Sequence, residues 1–121
     1  MMYSVDCILS EVVNNHDNKL LIERVRAAAE NLEELIARGD DEELLDYLED
    51  VCDVEIKIGG DFKYRGVELQ IAFGGPTIYL NTATCKIEGY WGFCDGFYTR
   101  ISDDVADAVD DYFREYYEEC R

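Results

Sequence analysis

Residues 54–73 read VEIKIGGDFKYRGVELQIAF, and their pattern decides the fold class. Val54, Ile56 and Ile58 alternate with Glu55 and Lys57, and Val67, Leu69, Ile71 and Phe73 alternate with Glu68, Gln70 and Ala72. A period of two residues sends the apolar side chains of each run to one face of a strand. Gly59, Gly60 and Asp61 between the runs supply turn chemistry, so the two predict an antiparallel hairpin. Gly74, Gly75 and Pro76 then break the second strand. A third strand is expected around Thr77 to Thr82 and a fourth around Cys85 to Trp91, joined near Ala83, with a fifth from Gly96 to Ile101. The reading is an antiparallel meander of four or five strands, one face of which needs a cover.

Both flanks change period. Upstream, Val5, Ile8, Leu9, Val12 and Val13 recur at helical spacing, as do Leu21, Val25, Ala28, Leu32, Leu35 and Ile36. The polar stretch around Asn14, Asn15, His16, Asp17 and Asn18 reads as a loop between two helices, with Asp17 capping the second and Gly39 stopping it. A short third helix follows Asp40, with Leu44, Leu45, Leu48 and Val51 on its apolar side. Downstream, Ser102 is a natural N-cap, and Val105, Val109, Tyr112, Phe113, Tyr116 and Cys120 share one side of a terminal helix. The expected class is α+β: N-terminal helices, the antiparallel sheet, and a C-terminal amphipathic helix packed on it. One domain over 1–121 is expected, with 1–52 helical, 53–101 the meander and 102–121 the last helix.

Bulk properties agree with a folded chain. It has 121 residues, 48% of them hydrophobic, enough for a core and too many for disorder driven by low hydrophobicity. No apolar run has the length of a membrane span, and the start resembles no signal peptide, so a cytoplasmic protein is expected. The five cysteines, Cys7, Cys52, Cys85, Cys94 and Cys120, form no C-x-x-C pair, which favours reduced, mostly buried thiols over a zinc site.

Charge is the outlier. Twenty-eight acids against eleven bases leave −17, where a magnitude of roughly 2–8 suffices for solubility. Residues 1–50 hold 14 acids and 4 bases, 51–101 hold 6 and 5, and 102–121 hold 8 and 2. On the terminal helix lie Asp103, Asp104, Asp107, Asp110, Asp111, Glu115, Glu118 and Glu119, interrupted only by Arg114. Acids in a last turn oppose the helix dipole, and each like-charge pair at i,i+4 costs roughly 0.2–0.5 kcal/mol. The third helix repeats the pattern: Asp40, Asp41, Glu42 and Glu43 suit its start, but Asp46, Glu49 and Asp50 sit toward its end. From Asp103 to Glu119 a helix rises about 24 Å, so eight carboxylates stand about one per 3.4 Å of axis, the spacing of phosphates along one DNA strand. The competing reading is a solvated acidic face with no specific partner.

Other chemistry finds little footing. No D-x-[DN]-x-[DN]-G loop suggests calcium, and no Walker, G-x-S-x-G or G-x-G-x-x-G motif occurs. His16 is a lone loop histidine, and no base or positive neighbour activates a cysteine. No catalytic residue, metal or cofactor is therefore nominated, and no enzyme activity is expected. The aromatic group Tyr90, Trp91, Phe93, Phe97 and Tyr98 reads either as core or as a partner-facing patch. Tyr112, Tyr116 and Tyr117 raise the same question, and a homodimer is one use of such a patch.

A short chain with acidic helices, an antiparallel sheet and no catalytic motif resembles the small acidic anti-CRISPR and anti-restriction proteins of phages and mobile genetic elements. The segment Gly74-Gly75-Pro76-Thr77-Ile78-Tyr79-Leu80-Asn81-Thr82, followed by Gly89-Tyr90-Trp91-Gly92 and the acidic terminal helix, carries the likeness over residues 54–121. The resemblance implies a DNA-mimic inhibitor acting in the host cytoplasm. Its partner would be a basic nucleic-acid-binding protein, a CRISPR effector or restriction enzyme, with no direct contact to nucleic acid or membrane. The terminal stripe and the Asp40–Asp50 cluster are the expected contacts, with Glu30, Glu33 and Glu34 in support. The alternative is a non-enzymatic, homo-oligomeric interaction module using the aromatic patch.

Overall fold

The computed structural model describes residues 5–92 and 96–120, with side chains from residue 18 onward. Three helices and five strands follow in the order α1 (Val5–Arg38), α2 (Asp41–Glu49), β1 (Asp53–Ile58), β2 (Tyr64–Ala72), β3 (Thr77–Asn81), β4 (Lys86–Tyr90), β5 (Phe97–Arg100) and α3 (Asp103–Cys120). The strands form one antiparallel sheet in sequence order, β1-β2-β3-β4-β5. The fold is α+β, with α1 lying over β4 and β5 and α3 packed on β2.

Turn and cap chemistry explains most boundaries. Gly39 takes φ +69°, and its N–H donates to the Ile36 carbonyl, ending α1 in the left-handed conformation that glycine adopts without strain. Asp40 then caps α2, its carboxylate accepting from the Glu43 N–H at 3.1 Å. Ser102 caps α3 by accepting from the Val105 N–H at 3.3 Å. Between β3 and β4 the Asn81 side-chain oxygen accepts from the Ala83 and Thr84 N–H groups, at 2.9 and 3.2 Å. Thr82 is buried, and its hydroxyl oxygen accepts from the Val67 N–H at 2.9 Å, tying that turn to β2.

One expectation fails here. The polar stretch 14–18 is no loop: α1 runs through it as a single helix of 34 residues, and Asp17 lies inside the helix rather than at a cap. Asn, His and Asp are weak helix formers, costing about 0.7 kcal/mol each relative to Ala, but α1 contains neither Gly nor Pro to break it. The side chains of Val5, Cys7, Ile8, Leu9, Val12, Val13 and His16 lie outside the described residues.

Leu21, Val25 and Leu32 of α1 meet Leu48 of α2, Val67, Leu69, Ile78, Leu80 and Ile87 of the sheet, and Val105, Val109 and Phe113 of α3 in one buried cluster. Gly89 lets α1 approach β4. A Cβ there would collide with Val25 Cγ2 and stand 2.9 Å from Leu21 Cδ1. Several expected core positions lie outside this cluster: Val54 and Ile58 are exposed on the edge strand β1, and Leu45 is exposed on α2. Phe73 is 76% exposed, because a register shift between Gln70 and Ala72 ends the regular alternation of β2 before it. On α3 no residue beyond Phe113 is buried: Tyr116 is 51% exposed and Cys120 is exposed. The thiols depart from expectation as well, with Cys52 and Cys120 exposed and Cys85 half-buried. Cys52 lies in the connection to an edge strand and Cys120 in the unburied end of α3, so neither has a layer to cover it. The side chain of Cys94 lies outside the described residues.

Candidate partner-binding surface on two acidic helices

The two acidic helices, far apart in sequence, border one groove. Its apolar floor is Leu44, Leu45 and Leu48 of α2 with Tyr112 of α3, and it encloses about 480 Å³. Asp41 stands on one rim, and Asp111 and Glu115 on the other. Leu44, Leu45 and Leu48 fall on one side of α2 because Leu48 lies four and three residues after the other two, and Asp41 stands one turn before them. A smaller depression of about 220 Å³, lined by Tyr112, Glu115, Tyr116 and Glu119, continues the surface along α3.

Helix geometry sets the rest of the stripe. At about 100° per residue, Asp103, Asp104, Asp107, Asp111, Glu115 and Glu118 occupy an arc of about 120°, opposite the side that Val105 and Val109 bury. All six are exposed, as is Glu119. On α2 and its caps, Asp40, Asp41, Glu42, Glu43, Asp46, Glu49 and Asp50 are exposed too. Cations stand beside some of these acids. Arg38 pairs with Glu43 and Arg114 with Asp111, each at 3.3 Å and between side chains about half exposed or more, where screening leaves little net stabilisation. No base occupies the last turn of either helix.

The fields overlap on the groove floor. Burial, followed by the carboxylate of Glu49 on α2 and then Tyr116 and Glu119 on α3, raises the Tyr112 phenol above its ordinary pKa. Nearby, burial alone pushes the Tyr47 phenol up to about 12.

Seven of the expected contact acids have other surroundings. Asp110 is turned inward and accepts from the Tyr64 hydroxyl at 2.6 Å, with the Arg114 guanidinium stacked 5.1 Å from the Tyr64 ring. Burial and then this hydrogen bond raise the Tyr64 phenol well above its usual pKa. Glu33 accepts from the Ser102 N–H at 2.8 Å and so ties α1 to the start of α3. Glu30 and Glu33 border a depression with Arg26, Thr99 and Arg100 beside β5, among cations and outside the α2–α3 groove. Glu34 is exposed on α1 and lines neither. Glu43, Asp46 and Asp50 face a separate depression with Arg38 and Tyr47.

The aromatic group divides. Trp91 and Phe97 pack against the core, Phe97 beneath the Arg26 guanidinium at 5.5 Å, whereas Tyr90 and Tyr98 are exposed. Tyr90 donates to Glu88 at 3.0 Å, and Lys86 sits 4.3 Å from the Tyr98 ring centre. Phe93 lies outside the described residues. Tyr112 packs against the core, and the Tyr117 hydroxyl donates to the Phe62 carbonyl at 2.7 Å, latching the end of α3 to the β1–β2 turn.

Among the described residues no three His, Cys, Asp or Glu side chains converge as a metal ion would require. Among those residues, too, no helix is long and apolar enough to cross a membrane. Compared with known proteins, the chain matches no family model, no curated protein and no solved structure.

Proposed function

We propose that the protein is an acidic mimic of DNA that occupies the DNA-binding groove of a CRISPR effector, in the cytoplasm of the host of a phage or mobile element. The supporting observation is that Asp41 of α2 shares one groove with Asp111 and Glu115 of α3. Folding brings acids of two helices to one groove, and along α3 successive acids at i,i+4 repel one another. A Lys/Arg-lined channel that holds nucleic acid offsets that repulsion and is steered toward it at long range. A restriction enzyme presents the same kind of channel and is the alternative target. No catalytic step is assigned to the chain.

The test is a DNA-binding or cleavage assay on a panel of CRISPR effectors and restriction enzymes, with wild type and the double variant Asp107→Lys, Glu115→Lys as inhibitors. Wild type is expected to block one of them and the double variant to lose the inhibition while staying folded. Full inhibition by the double variant would remove the stripe from the interface. Exposure of Tyr90 and Tyr98 on the sheet favours a second reading, an interaction module that self-associates. That reading requires a dimer whose stability does not fall with salt and which Tyr90→Ser dissociates.

A further inference from the structure

A surface that only imitates phosphates needs no apolar floor, yet the acidic rims here enclose one. Leu45 is 39% exposed on a helix whose neighbouring Leu48 is 3% exposed. The leucines of α2 and Tyr112 of α3 therefore leave apolar surface open between Asp41 on one side and Asp111 and Glu115 on the other. We propose that this groove receives a basic amphipathic α-helix of the partner protein, apolar side chains inward and Lys or Arg on both flanks.

Charge complementarity selects this occupant. The rims repel phosphate, which disfavours nucleic acid and an anionic lipid surface alike. A second copy of this chain brings another −17. A cationic helix with apolar residues at i, i+3 or i+4, and i+7 satisfies floor and rims together, because those positions form one stripe and the flanking positions reach the acids. A groove between two helices also matches a helix in shape better than an extended strand, which needs a free sheet edge. The inference rests on the acidic surface meeting a basic protein, and adds that part of the affinity is apolar and therefore less sensitive to salt.

Two synthetic peptides of about 14 residues, near the shortest length that holds a helix, separate the possibilities. Both consist of Lys, Arg, Ala and three Leu. One sets the leucines at i, i+3 and i+7, and the isomer spreads them around the helix. Binding is read by fluorescence anisotropy, and NMR shifts of the wild type locate the site. The amphipathic peptide should bind wild type about tenfold or more tightly than its isomer, the expected effect of burying one or two leucines. Shifts should centre on Leu45 and Tyr112, and Leu45→Ser should bind both peptides alike. Equal binding of the isomers to wild type, or shifts centred on the sheet, would overturn the groove while leaving the acidic surface standing. Failure of both peptides to bind at low salt would overturn the groove and the acidic-surface reading together. The isomer comparison needs only wild type, so it decides the matter even if Leu45→Ser loses its fold.

Discussion

If the acids of α3 are held for a partner rather than for the fold, reversing some of them should make the protein more stable. Asp103, Asp107, Asp111, Glu115 and Glu119 follow one another at i,i+4 along α3, giving four successive like-charge pairs. Asp107→Lys with Glu115→Lys alternates the signs, so four repulsive pairs become four attractive ones. Each conversion is worth about 0.4–1 kcal/mol, twice the usual 0.2–0.5 for one such pair, for an upper bound of about 2–4 kcal/mol. Exposure and salt reduce the realised gain to about 1–2 kcal/mol. Both side chains are exposed, and net charge falls from −17 to −13. For a domain of this size the melting temperature should rise by about 4–10 °C in dilute buffer. Calorimetry and urea titration at low and at high salt measure it, and the gain should shrink as salt rises. A melting temperature that falls, or a gain indifferent to salt, would refute the idea that these acids strain the helix.

Three further outcomes follow from the packing. Gly89→Ala should destabilise the fold by about 1–3 kcal/mol in urea titration, because its Cβ runs into Val25 and Leu21. Asp110→Ala leaves the Tyr64 hydroxyl without its acceptor, so stability should drop by about 1–3 kcal/mol while binding to a basic partner changes little. Tyr47 has its pKa raised from 10.0 to about 12 by burial, so the unfolded phenol loses its proton first. Its contribution is whole below pH 10 and lost as pH rises toward about 12, and Tyr47→Phe should flatten the decline of melting temperature across that window.

The sheet was legible because its signals are local. Alternation in Val67–Ile71, with glycine turns on either side, leaves little choice of face, whereas Val54 and Ile58 of the edge strand β1 stay exposed. Ser102, Gly39 and Asp40 mark helix ends through chemistry confined to one turn. The continuous α1 was missed because weak helix formers around His16 resemble a loop when neither Gly nor Pro is required of one. The acidic stripe was legible as a stripe, but its meeting with α2 was not, since a groove between elements so distant in sequence exists only after the sheet has placed both. Asp110 and Glu33 were read as surface acids although each bonds to the fold. A faint signal was present for Asp110: it lies one turn from both Ala106 and Phe113, at the border of the buried side of α3, where a carboxylate can reach a donor on the sheet. The adjacent Leu44 and Leu45 hinted at the groove too, because they widen the apolar side of α2 beyond what a nine-residue helix needs to dock.

The most direct test is competition between this protein and DNA for one target enzyme, followed across a salt series. Mutually exclusive binding is expected, with affinity falling about tenfold or more between roughly 0.1 and 0.5 M salt as the ionic contacts are screened. Simultaneous binding of protein and DNA, or an affinity unchanged across that range, would contradict the assignment of the acids on α2 and α3 to a nucleic-acid channel.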